Sequence, residues 1–268
     1  MAGSVESHYA SDGIVDRIIG ALGNAGFDID NLEPDALAGA DEFHIGGRIG
    51  SQIVADTLTV GAGDQVLDVG CGIGGFARFL SGSTNAHVTG IDLTPEFIDA
   101  AIELSNLVGV SDQVNFQIGS ATDLPFDDGS FDAVTMLHVG MNIADKHRMM
   151  AELARVARPG AMVLVYDVMR VGDGVLTYPM PWASTEEFSV IAPRTDYEEA
   201  GKAADLVLLS GQDHGEMAQT FFNNPPSTPP PVNLGHLMGS EMPTMFGNAR
   251  AAANAGIMSP VLLTYRAN

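Results

Sequence analysis

The stretch QVLDVGCGIGGFARFL, residues 65–80, decides the fold. Its first half is an apolar run that ends in glycine, the pattern of a strand buried on both faces of a parallel sheet. Its second half resumes as a helix. Between them lie Gly70, Gly72, Gly74 and Gly75. Glycines at a strand-to-helix turn admit positive φ and let main chain approach a ligand closely, and the helix N-terminus beyond offers unpaired N–H groups. The string also satisfies G-x-G-x-x-G through Gly70, Gly72 and Gly75, and Asp92 follows 20 residues after Gly72 at the end of the next strand. A carboxylate there suits a ribose diol.

Outward from this unit, strands and helices alternate. HVTGIDL (87–93), QVNFQIG (113–119), FDAVTMLHV (131–139) and AMVLVYDVM (161–169) read as strands. TPEFIDAAIELSNLVGV (94–110) reads as a helix with Thr94 as N-cap and Pro95 at its first position. ADKHRMMAELARVA (144–157) is a second helix, with Pro159-Gly160 expected to stop it. Upstream, apolar positions at Ile14, Val15, Ile18, Ile19 and Leu22 give helix periodicity. Residues 41–50 read as a glycine-flexed loop and 49–60 as another helix. Beyond residue 170 the signal is weaker: a helix over 194–205, strands at 205–211 and 259–266, and helices at 214–222 and 241–256 around a proline-rich segment, Pro225 to Pro231. The expectation is an α/β fold, a Rossmann-like seven-stranded and mostly parallel sheet with helices on both faces. Residues 1–60 form an N-terminal helical cover, and residues 61–268 form the sheet domain, with lid segments within 171–256.

Composition narrows the function. Twelve Lys and Arg stand against 34 Asp and Glu, a net charge of −22. That balance repels nucleic-acid phosphates and anionic membrane surfaces alike. No run approaches the ~20 apolar residues of a membrane span, and Met1 to Ala10 lacks the basic and apolar regions of a secretory signal. A cytoplasmic protein is expected. The single cysteine, Cys71, permits no intrachain disulfide and reads as a small filler in the glycine turn. Only two lysines are present, a texture that suits either a surface adapted to high salt or ordinary solubility.

Residues 65–92 alone fit two enzyme classes, nicotinamide-dependent oxidoreductases and methyltransferases. Three features separate them. Asp68 precedes the glycine turn, where an acid is unhelpful beside a pyrophosphate but suits an ammonium. LPFDDGSFDAV (124–134) leads straight into the fourth strand, and RVARPGAMVLVYDV (155–168) joins helix end, turn and fifth strand. Together these resemble the class I S-adenosylmethionine-dependent methyltransferases over residues 60–170. DEFHIGGR, GIDLTPEFIDAA and HVGMNIADK resemble the small-molecule branch, which includes sarcosine and dimethylglycine N-methyltransferases. No Tyr-x-x-x-Lys pair supports the oxidoreductase. A catalytically inactive cofactor-binding regulator is the remaining alternative.

The resemblance implies S-adenosylmethionine as cofactor, S-adenosylhomocysteine as product and a small-molecule methyl acceptor, with no nucleic acid and no membrane as partner; a homodimer stays open. It implies that Asp68, Gly70, Gly72 and Gly74 hold the methionine end, that Asp92 takes the ribose hydroxyls and that Leu93 packs on the adenine. Ser120, Ala121 and Thr122 would border the adenine, Ser120 standing where many relatives have aspartate. Leu137 and His138 would sit beside the sulfonium.

For catalysis the candidates are His138, as base or substrate positioner, His44 in the cover loop and Tyr9 over the site. Tyr166 and Asp167 are expected to point toward the same crevice. Trp182 is either a lid aromatic or core, and His214 and His236 flank the proline-rich segment. His147 reads as solvated. The histidine spacing fits no metal-ligand pattern, and no metal is expected.

Overall fold

The computed structural model describes residues 13–268. Tyr9 lies outside the described residues. The elements in chain order are α1 (Ile14–Asn24), α2 (Arg48–Thr57), β1 (Gln65–Val69), α3 (Gly75–Thr84), β2 (His87–Asp92), α4 (Pro95–Leu107), β3 (Val114–Ile118), β4 (Phe131–Leu137), α5 (Lys146–Val156) and β5 (Ala157–Arg170). They are followed by α6 (Arg194–Ala203), β6 (Val207–Asp213), α7 (Gly215–Asn223), α8 (Met242–Asn254) and β7 (Met258–Arg266).

The seven strands form one sheet in the order β3-β2-β1-β4-β5-β7-β6. β1 to β5 pair in parallel, while β7 pairs antiparallel with both β5 and β6. The apolar strand runs divide between two covered faces, because neighbouring side chains on a strand point opposite ways. Leu67, Val69, Val134, Met136, Val163 and Val165 pack under α5 and α6, against Met149, Leu153 and Tyr197. Val66, Ala133, Leu137, Leu164 and Tyr166 pack on the other face, against Val54 of α2 and Phe76, Ala77 and Leu80 of α3. α1 buries Ile14, Ile18 and Leu22, spaced four apart, against Phe97, Ala100 and Leu104 of α4.

Local details depart from the sequence reading. Pro159-Gly160 does not end the helix. α5 stops at Val156, and Ala157 already pairs with Phe131, so the Pro-Gly dipeptide sits in the exposed start of a 14-residue strand. Thr94 makes no side-chain cap on α4. Its N–H is instead bound by Asp92 Oδ1 at 2.9 Å. The parallel order places the carboxyl ends of β1, β2 and β4 side by side, and ligands bind α/β sheets at that edge.

Candidate functional site

A cavity of about 230 Å³ opens at this edge. Its wall brings together Asp68, Gly70 and Gly72 from the β1 turn, Asp92 and Leu93 from β2, Ser120 and Ala121 after β3, and Leu137 and His138 from β4, with His44 across from them. Two residues expected among these lie off the wall. Gly74 is the left-handed N-cap of α3, where a Cβ would press into Phe116 at 2.6 Å. Thr122 turns inward to bond Ser120 Oγ at 2.9 Å, and its carbonyl accepts from Arg148 Nε.

Two carboxylates stand beside the glycine turn. Asp68 is 2% exposed. Its Oδ1 accepts the Thr135 hydroxyl at 3.1 Å, while Oδ2 is buried without a partner. Burial pushes its carboxyl up to about 7, with the Thr135 bond opposing and Asp92 adding to the rise. An orphaned buried acceptor costs about 1–3 kcal/mol, and a ligand ammonium would satisfy it. Asp92 is fixed differently: Oδ2 accepts the Gly72 N–H and Oδ1 the Thr94 N–H, each at 2.9 Å. Burial raises its pKa too, against those bonds. Gly70 and Gly72 both have positive φ, at 75° and 54°. A Cβ on Gly70 would collide with Val139, whereas a Cβ on Gly72 would meet nothing within 4 Å. The first glycine is required by the fold; the second leaves its side open to a ligand.

The histidines are held by main chain. His138 takes positive φ, 55°. Its Nε2 accepts the Ile45 N–H at 3.2 Å, and Nδ1 lies 3.3 Å from the Tyr166 carbonyl. A peptide N–H can only donate, so the ring proton sits on Nδ1 and the Nε2 lone pair is occupied. Burial, with His44 nearby, holds His138 well below its ordinary pKa and therefore neutral. Tyr166 completes the clamp by donating to the Ile45 carbonyl at 2.9 Å.

His44 has the opposite tautomer. Its Nε2 lies 3.0 Å from the Gly47 carbonyl, 3.3 Å from Ser51 Oγ and 3.4 Å from Glu42 Oε2. Ser51 donates its own proton to Glu42, so all three oxygens are acceptors for an Nε2–H. The Nε2–Cδ2 edge faces Gly50 of α2. The lone pair is left on Nδ1, which accepts no hydrogen bond among the described residues. Burial brings His44 down to about 4.

The loop 42–47 is thus tied to the sheet at Ile45. A second tie lies just upstream, where Asp41 pairs with Arg78 Nη2 of α3 at 2.5 Å. Both residues are buried, and the pair was not legible from sequence. Burial still raises Asp41 to about 6, against the pull of Arg78.

Neither Tyr166 nor Asp167 lies on the cavity wall, and the two turn apart because successive strand residues point to opposite faces. Tyr166 lies under the histidines, with ring centroids 5.0 Å from His138 and 6.2 Å from His44. Asp167 turns the other way, where Oδ2 accepts the Tyr197 hydroxyl at 2.7 Å. Trp182 is 2% exposed yet forms part of the cavity wall, and its indole N–H donates to Ser189 Oγ at 2.9 Å. His214 and His236 stay off the wall; His236 turns back on Asn233, and its neighbours Leu234 and Leu237 line the cavity instead. His147 is exposed. Cys71 lines the turn with a thiol that burial pushes up, and it contacts the space beside Gly90.

A family described as "Methyltransferase domain" matches residues 67–165. The methyltransferase GfsG of Streptomyces halstedii is 32% identical over 73% of this chain and 67% of its own length. A probable chloroplastic tocopherol O-methyltransferase of Oryza sativa subsp. japonica is 44% identical over 38% of this chain, but the match spans only 28% of the rice protein. Geranyl diphosphate C-methyltransferase from Streptomyces coelicolor A3(2), solved with Mg2+, geranyl-S-thiolodiphosphate and S-adenosyl-L-homocysteine, superimposes with a TM-score of 0.68 at 20% identity, covering 83% of this chain and 76% of that one. At that identity the likeness is one of fold.

Proposed function

The chain belongs to the class I S-adenosylmethionine-dependent methyltransferases, and from that premise we propose that it methylates a small-molecule acceptor bound in the cavity at the carboxyl edge of the sheet. One observation carries the cofactor assignment: the buried, unpartnered Oδ2 of Asp68 in the cavity wall. It is a site for the amino-acid ammonium. Asp92, aimed by two backbone N–H groups, suits the ribose hydroxyls, and Leu93 with Ser120 and Ala121 borders the adenine. The open side of Gly72 lets the main chain lie against the methionine end. Leu137 sits at the end of β4, toward the reacting group.

When bound, S-adenosylmethionine supplies an activated methyl group on a positively charged sulfur, and S-adenosylhomocysteine remains after transfer. The chain contributes alignment and the exclusion of water. Residues 42–47 and segments within 171–256 form the cover over the crevice. His44 is the proposed base: Glu42, Ser51 and the Gly47 carbonyl hold its proton on Nε2, which leaves Nδ1 to accept one from the acceptor. His138 is a positioning residue that pins the Ile45 peptide, because its own lone pair is spent on that bond.

Calorimetric titration with S-adenosylhomocysteine, followed by a mass-shift screen of acceptors with S-adenosylmethionine, tests the proposal. Saturable binding and a mass gain of one methyl group are expected. No binding of S-adenosylhomocysteine overturns it.

A further inference from the structure

The wall of the cavity carries no lysine or arginine. The whole chain has 12 of them, and residues 1–12 contribute none, so every one falls within the described residues and can be located. Lys146 is buried, with its ammonium on the carbonyls of Gly140, Ile143 and Val190 at 2.8, 2.5 and 3.2 Å. That uses all three of its donors behind the turn that follows β4. Arg78 is committed to Asp41 and Ser105, and Arg48 to Glu42 and Asp35. Arg148 and Arg155 converge on Glu152, Arg158 pairs with Asp132, and Arg194 pairs with Glu198. Arg17 and Arg170 donate to the carbonyls of His236 and Gly174. Lys202, Arg250 and Arg266 are exposed. None lines the cavity.

Instead the wall holds three carboxylates, Asp41, Asp68 and Asp92. Its two histidines are kept neutral by burial. The part of the wall away from the glycine turn is built from Met141, Trp182, Phe221, Phe222 and Phe246. Phe222 packs edge-on against both neighbours, with ring centroids at 5.3 and 6.0 Å. The indole N–H of Trp182 is spent on Ser189, and the Asn142 amide donates to the carbonyls of Trp182 and Phe188. These groups therefore present mainly carbon surface.

We infer that the methyl acceptor is an uncharged, largely apolar molecule, with an aromatic or alkyl body in the aromatic compartment and a single polar group at the histidine end. A phosphate or carboxylate brought into this space would lose its hydration with no lysine or arginine to replace it. This separates the site from that of an enzyme whose acceptor is an anion. The inference rests on the methyl-transfer reading.

The test uses the full-length protein saturated with S-adenosylhomocysteine and three ligands on one skeleton: 4-butylphenol, 4-butylbenzoate and 4-butylphenyl phosphate. Each is titrated with and without Mg2+, by calorimetry and by the fluorescence of Trp182. The neutral phenol is expected to bind roughly tenfold or more tighter than either anion. An anion that binds as well as the phenol, with or without Mg2+, overturns the inference, as does a phenol that fails to bind. Failure of S-adenosylhomocysteine itself to bind overturns the methyl-transfer reading first. A protein that binds S-adenosylhomocysteine but prefers the anions overturns the acceptor class alone.

Discussion

The imidazole Nε2 of His138 accepts the backbone N–H of Ile45, 93 residues away in the chain, at 3.2 Å. The same peptide's carbonyl is held by Tyr166. A side chain at the end of a core strand and a tyrosine on its neighbour thus fix both polar atoms of one loop peptide. Replacing His138 with asparagine keeps a residue that tolerates positive φ but removes the ring. The Ile45 N–H then loses its partner, worth about 1–3 kcal/mol. Hydrogen exchange at the Ile45 amide should quicken by roughly tenfold to a hundredfold, with global stability changing less. Unchanged exchange there would show that His138 does not hold the loop.

His44→Gln should separate chemistry from binding. The glutamine keeps much of the volume and a donor toward Gly47, but has no basic nitrogen. Turnover at saturating cofactor should fall by about 10²–10⁴-fold, while S-adenosylhomocysteine affinity stays within about threefold. An equal loss in both would mark His44 as a structural part of the cofactor pocket.

Asp68→Asn should stabilise the free protein while weakening the cofactor. The folded pKa of Asp68 is raised from 3.8 to about 7. Its contribution to folding is therefore full below 3.8 and is lost as the pH rises through about 7. Urea unfolding should find the variant more stable than wild type at pH 8, on the order of 2–4 kcal/mol, with the difference vanishing near pH 4. S-adenosylhomocysteine affinity should drop about tenfold to a hundredfold. In wild type an ammonium at Asp68 would pull the carboxyl down. Binding near pH 6.5 should then release a proton, seen as a dependence of the calorimetric heat on buffer.

Gly72→Ala isolates the ligand's claim on the turn. The new Cβ would meet no protein atom within 4 Å, so the cost to folding is that of positive φ alone, about 1–2 kcal/mol. Thermal unfolding should shift by a few degrees, while S-adenosylhomocysteine binding should fall by more than tenfold. Gly70→Ala, which drives a methyl group into Val139, should instead impair folding itself.

Much of the frame was legible because its signals are local. The β1 turn, Asp92 at the end of β2 and the alternation through β5 all lie in short windows whose period reports burial. The later elements were also readable one by one, but periodicity carries no information about neighbours. It could not reveal that β7 would slot antiparallel between β5 and β6. The site's finer roles escaped for a related reason. His138 is engaged by the main-chain N–H of Ile45, and a backbone atom leaves no trace in residue identity. The Asp41–Arg78 pair joins two elements 37 residues apart, with nothing local to link them. Tyr166 and Asp167 fell to opposite faces through the alternation that governs every strand.

The pairing of β5 with β7 places Arg170 directly opposite Met258. Between them the chain leaves the sheet twice: residues 171–192, with Trp182, end where Pro193 bridges back to Arg170, and residues 214–257, with Phe222 and Phe246, run from β6 to β7. Each insertion is in this sense a cassette with both ends fixed on the sheet. Its closure cost depends only weakly on how many residues it contains. Such a segment can be lengthened, shortened or exchanged while the β1 turn and Asp92 keep their places. The aromatic compartment of the cavity can therefore vary while the glycine turn beside it stays unchanged.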